Sequence, residues 1–269
     1  MSLFSATLLG ILQGVTEFLP VSSSAHLILA RAFFGWDADR LGLAFDVACH
    51  VGTLVAVLIF FRADILAMLK ALPGVLAPQP GPDARRIRLI VIGTIPIVIV
   101  GLLWADFIET RTRTPLVAAV ALLAGAALLL FIERFAGATR GEEALSGPGA
   151  LAIGAAQSMA LIPGVSRSGS TIAAGMALGL RRDVAARFTF LMSIPAIVAA
   201  AAKEGLALRH LELTGADAIM FAVGMGSSAV VGYLTVKYFI RYLATHRLDV
   251  FAWYRIGLAA ATFVWMAQQ

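Results

Sequence analysis

The sequence predicts an all-α integral membrane protein with six transmembrane helices plus two re-entrant helical hairpins in an inverted-topology repeat. Three observations predict it. Of the 269 residues, 60% are hydrophobic and 14% are charged, against about 45–50% and about 25% in a soluble domain. Apolar runs long enough to cross a bilayer recur along the whole chain, and mean hydropathy is +0.89. Two apolar segments, one in each half, carry a similar polar interruption at their centres.

A full span needs about 20 mostly apolar residues. The first apolar segment, 3–34, is broken at Pro20, which leaves two arms too short to cross alone. It reads as a hairpin that enters and leaves the membrane on one side. Non-helical backbone at that depth is tolerated where it lines a cavity or is buried in protein. Full spans follow at approximately 43–61, 89–105 and 115–132. A second hairpin covers 150–180, broken at Pro163-Gly164. Three more spans follow at approximately 186–202, 218–236 and 250–267. Loops hold the breakers and charges: PQPGPD at 78–83, RRIR at 85–88 and GATRGEE at 137–143. The chain reads as a single polytopic membrane domain, 1–269, with repeat halves of approximately 1–135 and 148–269. The only cysteine, Cys49, lies in an apolar run, which excludes a disulfide framework. No basic region precedes the first apolar run, which carries Gln13 and Glu17 and makes a poor signal peptide.

The two hairpins match. LGILQGVTEFLPVSSSA (9–25) aligns with IGAAQSMALIPGVSRSG (153–169), pairing Gly10, Gln13 and Ser22 with Gly154, Gln157 and Ser166. Farther on, Phe45 pairs with Phe188. Three spans separate the hairpins, so the second half is inverted and the broken helices meet near the midplane. Loop charge sets the orientation. On the N-terminal side lie Arg31, Arg40, Arg111, Arg113, Lys203 and Arg209; thirteen other basic residues fall on the opposite side, which is expected to be cytoplasmic. Both termini are then periplasmic. The net charge of +5 belongs to cytoplasmic loops, and no nucleic-acid partner is expected. Trp36, Trp104 and Trp253 read as interfacial anchors, and Arg255 reads as structural or snorkelling.

The hairpin tips carry the chemistry. A helix N-terminus offers unpaired N–H groups and the positive end of a dipole, so it binds phosphate. Ser22, Ser23 and Ser24 follow the first break; Ser166, Arg167 and Thr171 follow the second. Arg167 adds a forked positive charge suited to phosphate. Glu17 ends the first arm, and His26 lies three residues after Ser23, on the same helical face. Intramembrane Glu17 and Arg167 read as functional by default. Gln13 reads equally as site or as helix-packing residue. A hydroxyl or imidazole nucleophile beside a base, with charge stabilisation, suits phosphoryl transfer. Glu17 can alternatively hold a divalent cation against the phosphates. Asp46 and His50, four apart, share a face and read chiefly as a mutual structural pair. A transporter is the competing class, because inverted repeats with broken helices build those too.

The runs QGVTEFLPVSSSAHLIL and PGVSRSGSTIAAGM resemble the two signature motifs of the undecaprenyl-diphosphate phosphatase family, also called bacitracin-resistance proteins. The resemblance covers essentially the full length. It implies hydrolysis of undecaprenyl diphosphate to the monophosphate, which recycles the lipid carrier of bacterial cell-wall synthesis. It also implies six spans with two re-entrant pairs, a pocket open to the periplasm, and help from a divalent cation such as Mg or Ca. The motif E-G-x-x-E-F-L-P-V-S-S-x-G-H maps its second glutamate to Glu17, its key serine to Ser23 and its histidine to His26. Its first glutamate falls on Gln13 and its small residue before the histidine on Ala25. The motif P-G-x-S-R-S-G matches Pro163 to Gly169 without change, which assigns phosphate binding to Arg167 and Ser166.

Together these give the expected site. Glu17, Ser23, His26 and Arg167 are catalytic; Gln13, Ser22, Ser166 and Thr171 bind substrate; Glu17 alone holds a metal. Ser23 is the preferred nucleophile, and His26 is the alternative. The expected partners are a polyprenyl diphosphate lipid, membrane lipid and, as an allowed oligomeric state, a second copy in a homodimer. The expected location is the bacterial inner membrane.

Overall fold

A computed structural model describes residues 2–36, 42–208 and 214–269. Arg40 and Arg209, used above for orientation, lie outside the described residues. Helices account for every regular element among the described residues.

α1 (Leu3–Thr16) begins at Ser2, whose hydroxyl accepts from the Ser5 N–H in a capping box. The chain then breaks and restarts as α2 (Ser23–Phe34), which ends at Gly35 in the left-handed conformation, φ 61°. α3 (Gly42–Phe60) and the short α4 (Arg62–Ala71) follow. α5 (Pro82–Thr112) and α6 (Pro115–Phe135) both start with proline in the first turn, where its missing N–H costs nothing. The second half runs α7 (Gly147–Met159), a break, α8 (Arg167–Ala177), α9 (Arg182–Leu208), α10 (Gly215–Leu243) and α11 (Asp249–Met266).

Five helices are long and apolar enough to cross a membrane: Gly42–Phe60, Pro82–Trp104, Pro115–Phe135, Arg182–Leu206 and Gly215–Leu243. The sixth expected span, 250–267, is the 18-residue helix α11. Asp249 and Arg255 within it keep its hydropathy below that of the five. α4 was not expected, because its mixed charged and apolar sequence lacks the length of a span. α5, α9 and α10 run past the expected spans at both ends.

Small residues let the helices approach closely, as membrane bundles require. A side chain at Gly14 of α1 would meet the backbone of Ser228 and Gly232 on α10 at 2.9 Å. A side chain at Gly154 of α7 would collide with the Gly93 carbonyl of α5. α1 thus packs on α10 and α7 packs on α5, an exchange of partners between the halves. At the centre, Phe18 meets Phe190 of α9 edge to face, with ring centroids 5.3 Å apart.

Candidate active site at the two helix tips

The breaks at 17–22 and 160–166 fold alike. Ser22 and Ser166 both have positive φ, 70° and 73°, which is costly for residues with a Cβ. Each is the N-cap of the following helix: Ser22 Oγ accepts from the Ala25 N–H and Ser166 Oγ from the Gly169 N–H. Each also shares a hydrogen bond of 3.2 Å with the serine two residues on, Ser24 or Ser168. The tips are stitched together. The Gly164 N–H donates to Ser22 Oγ at 3.1 Å, and Ser168 Oγ donates to the Leu19 carbonyl at 2.8 Å.

This stitching brings the starts of α2 and α8 side by side, with Glu17 between them. Glu17 is 5% exposed. Its Oε1 accepts from Arg167. Its Oε2 accepts from Ser23 Oγ at 2.7 Å and from Gln13 Nε2 at 2.7 Å. His50 Nε2 of α3 lies 3.4 Å from the same oxygen. His50 Nδ1 faces the Asp46 carbonyl at 2.8 Å, so it carries a hydrogen. Glu17, Ser22, Ser23, His50, Ser166 and Arg167 line a cavity of about 180 Å³. Its apolar wall includes Ile97 of α5 and Ala196 of α9, each directly after a mid-helix proline, Pro96 or Pro195. A second, apolar cavity of about 200 Å³ adjoins it, sharing Val47, Ile97, Leu161, Ala196 and Ala200.

The structure thus gathers Gln13, Glu17, Ser22, Ser23, Ser166 and Arg167. Two expected residues point elsewhere. His26 Nδ1 donates to the Ser22 carbonyl at 2.7 Å, and its Nε2 meets the Tyr254 hydroxyl of α11 at 2.7 Å. Its ring stacks on Tyr254, and it does not line the cavity. Thr171 is fully buried and donates to the Arg167 carbonyl at 2.6 Å, supporting the first turn of α8 from within. Asp46 does not pair with the His50 side chain as expected. Its carboxylate is held by Arg31 at 2.6 Å and Arg113 at 2.6 Å, which frees His50 to face Glu17. The one signal for this was the four-residue spacing of Asp46 and His50, which puts both on one face of α3. Arg255 does not snorkel: it is completely buried.

Among the described residues, no group of three or more His, Cys, Asp or Glu is placed to hold a metal. Glu17 is the single carboxylate at the tips, and its lone pairs are engaged. An all-protein cage of six or more oxygens for Ca is therefore not available. The donor set fits only the mode in which a cation takes one carboxylate, waters and the oxygens of a phosphorylated substrate.

An all-helical, multi-pass membrane protein here brings an arginine, a carboxylate, hydroxyls and two helix N-termini to one cavity, groups whose chemistry suits a phosphorylated ligand. Comparison with known proteins names the family. The family model described as Bacitracin resistance protein BacA matches residues 6–261, and the chain belongs to this family. A protein of Rubrobacter xylanophilus named undecaprenyl-diphosphatase is 48% identical over 264 residues, covering 97% of both chains. Proteins of the same name from Alcanivorax borkumensis and Methanosphaera stadtmanae are 44% and 39% identical. They are matched over 99% and 98% of this chain and 100% and 98% of their own.

Proposed function

We propose that the chain is a membrane phosphatase that hydrolyses undecaprenyl diphosphate to undecaprenyl phosphate and inorganic phosphate, recycling the lipid carrier for cell-wall synthesis. Family membership and the relatives' shared name support the activity. The observation that supports its placement at the tips is the contact set of Glu17, which joins a hydroxyl on α2 to a guanidinium on α8.

The diphosphate enters the cavity with its lipid tail in the adjoining apolar one. Arg167 and the N–H groups at the starts of α2 and α8 take the phosphate charge. Ser23 Oγ attacks the terminal phosphorus, and the bond to the bridging oxygen breaks. Undecaprenyl phosphate leaves, and the Ser23 proton passes to Glu17, which already accepts it as a hydrogen bond. Glu17 releases that proton to solvent; water then attacks the phosphoserine, losing a proton to Glu17, which passes it to Ser23 Oγ as the bond from that oxygen to phosphorus breaks and inorganic phosphate leaves. Gln13 and His50 hold the carboxylate in place throughout. Glu17 would be the single protein carboxylate to hold Mg or Ca, which would supply charge neutralisation for the phosphates. His26 is the weaker nucleophile candidate, because Tyr254 occupies its Nε2.

The proposal includes the finer architecture: six spans and two re-entrant hairpins in an inverted repeat of halves 1–135 and 148–269, in the bacterial inner membrane. The shared geometry of Ser22 and Ser166 and the exchanged packing of α1 and α7 support the repeat. Loop charge supports periplasmic termini and a site open to the periplasm. Both tips come from one chain, so a homodimer is compatible with the mechanism and not required by it. Trapping a phosphoenzyme after acid quench tests the chemistry. Label on Ser23 is the expected result; label on His26 exchanges the roles, and label on neither means direct attack by water. For the topology, Trp36→Cys in a chain lacking Cys49 should react with an impermeant thiol reagent from outside. Protection there overturns the orientation.

A further inference from the structure

Arg255, on the last helix, leads the large side chains that are fully buried among the described residues. A guanidinium without water normally takes a carboxylate partner. Among the described residues Arg255 has none. All of its hydrogen bonds go to backbone carbonyls, and those carbonyls come from three places. Nε donates to Leu122 at 3.1 Å, and Nη2 to Ala121 at 3.1 Å, both on α6. Nη1 donates to Pro20 at 3.2 Å, in the first break. Nη2 also donates to Gly164 at 2.8 Å and to Val165 at 3.2 Å, in the second break.

The residues it grips matter. Pro20 and Val165 lie two residues and one residue before Ser22 and Ser166, the two strained N-caps. A planar fork with five fixed donors can hold three backbone segments at one mutual spacing; a lysine ammonium cannot. α6 is shaped for it. A Cβ at Gly125 would overlap the guanidinium, so glycine leaves the space that it fills. Arg255 does not line the cavity that holds Glu17, Ser23 and Arg167, and none of its hydrogen bonds goes to their side chains.

We infer that Arg255 is a positioning residue: its guanidinium clasps the two broken helices to α6 and so sets the distance between Ser23 at the start of α2 and Arg167 at the start of α8. This inference rests on the tips being the site of hydrolysis. Holding the nucleophile and the phosphate clamp in register is worth much in rate, since a misplacement of ~1 Å far from the chemistry costs ~100-fold. It also makes the strain at Ser22 and Ser166 sustainable, because the surrounding carbonyls are tied down on both sides.

The test compares Arg255→Lys, Gly125→Ala and Arg167→Ala with wild type in purified protein, measuring kcat and KM for undecaprenyl diphosphate together with the melting temperature. Arg255→Lys keeps the charge and loses the fork. Gly125→Ala keeps every donor and acceptor and displaces the fork from the far side. The expected result is a fall in kcat per folded molecule of ~100-fold for Arg255→Lys and ~10-fold for Gly125→Ala, with KM changed less than ~3-fold. A fall in melting temperature with kcat per folded molecule unchanged in both variants overturns the clasp and leaves a stability role only. Arg167→Ala separates the two ideas: if it retains wild-type activity, the site itself is misassigned, whatever Arg255 does.

Discussion

Glu17 and Arg167 stand 150 residues apart in the chain and form an ion pair across the junction of the two helix breaks. Each comes from one half, so neither half has a site alone. The pair does two jobs at once. It neutralises two charges in a mostly apolar environment, and it holds the guanidinium ready for a phosphate that competes for it. A buried charge left without its partner is expensive, so each of the two residues keeps the other satisfied until a phosphate takes the guanidinium.

Ser23→Ala should abolish turnover to within ~10³-fold or less of the uncatalysed rate, while His26→Gln should cost no more than ~10-fold. Tyr254→Phe should match His26→Gln, because each removes one end of the same hydrogen bond. Steady-state phosphate release on the three variants checks this. A large loss for His26→Gln with Ser23→Ala nearly intact reverses the assignment.

His50→Ala should lower kcat by ~10- to 100-fold, more than His26→Gln does. Its imidazole, unlike that of His26, reaches the Glu17 carboxylate and lines the cavity. Equal and small effects for both histidines would mean that the contact of His50 with Glu17 has no catalytic weight.

Gln13→Glu should make activity more dependent on Mg or Ca. Gln13 is fully buried, its Nε2 donates to Glu17, and its Oε1 has no partner. A second carboxylate there would face the first at hydrogen-bond distance, and a cation relieves that repulsion. Titrating activity against the cation with and without a chelator measures it. A variant with unchanged half-saturation would show that the cation does not bind at Glu17.

Gly154→Ala should destabilise the protein by roughly 1–3 kcal/mol through overpacking, because its methyl group would collide with the Gly93 carbonyl. Gly257→Ala, with open space at its Cβ, should be neutral or slightly stabilising. Thermal unfolding of the two variants in detergent checks the α7–α5 contact.

The tips were legible because their signal is local. Proline breaks, serines at the restarts and ionisable residues in apolar surroundings mark Glu17, Ser23 and Arg167 without any tertiary knowledge. The equivalence of Ser22 and Ser166 was legible in the same way, although their prolines, Pro20 and Pro163, sit one step out of register. What failed was the choice of partners. Helical periodicity puts His26 on the face of Ser23, but it does not say that Tyr254 waits there. The same spacing suggested a pair between Asp46 and His50, and two distant arginines took the aspartate instead. For Arg255 the sequence left a structural and a snorkelling role open, because its carbonyl partners on α6 and in both breaks come together only in the folded bundle.

The most direct measurement is phosphate release from undecaprenyl diphosphate by purified protein, comparing wild type with Arg167→Ala and Glu17→Gln, with and without Mg or Ca. The account predicts that wild type releases phosphate and that each variant loses at least ~100-fold while staying folded. A variant that retains activity within ~3-fold of wild type would contradict it, since removing either end of the Glu17–Arg167 pair must then leave the reacting groups untouched.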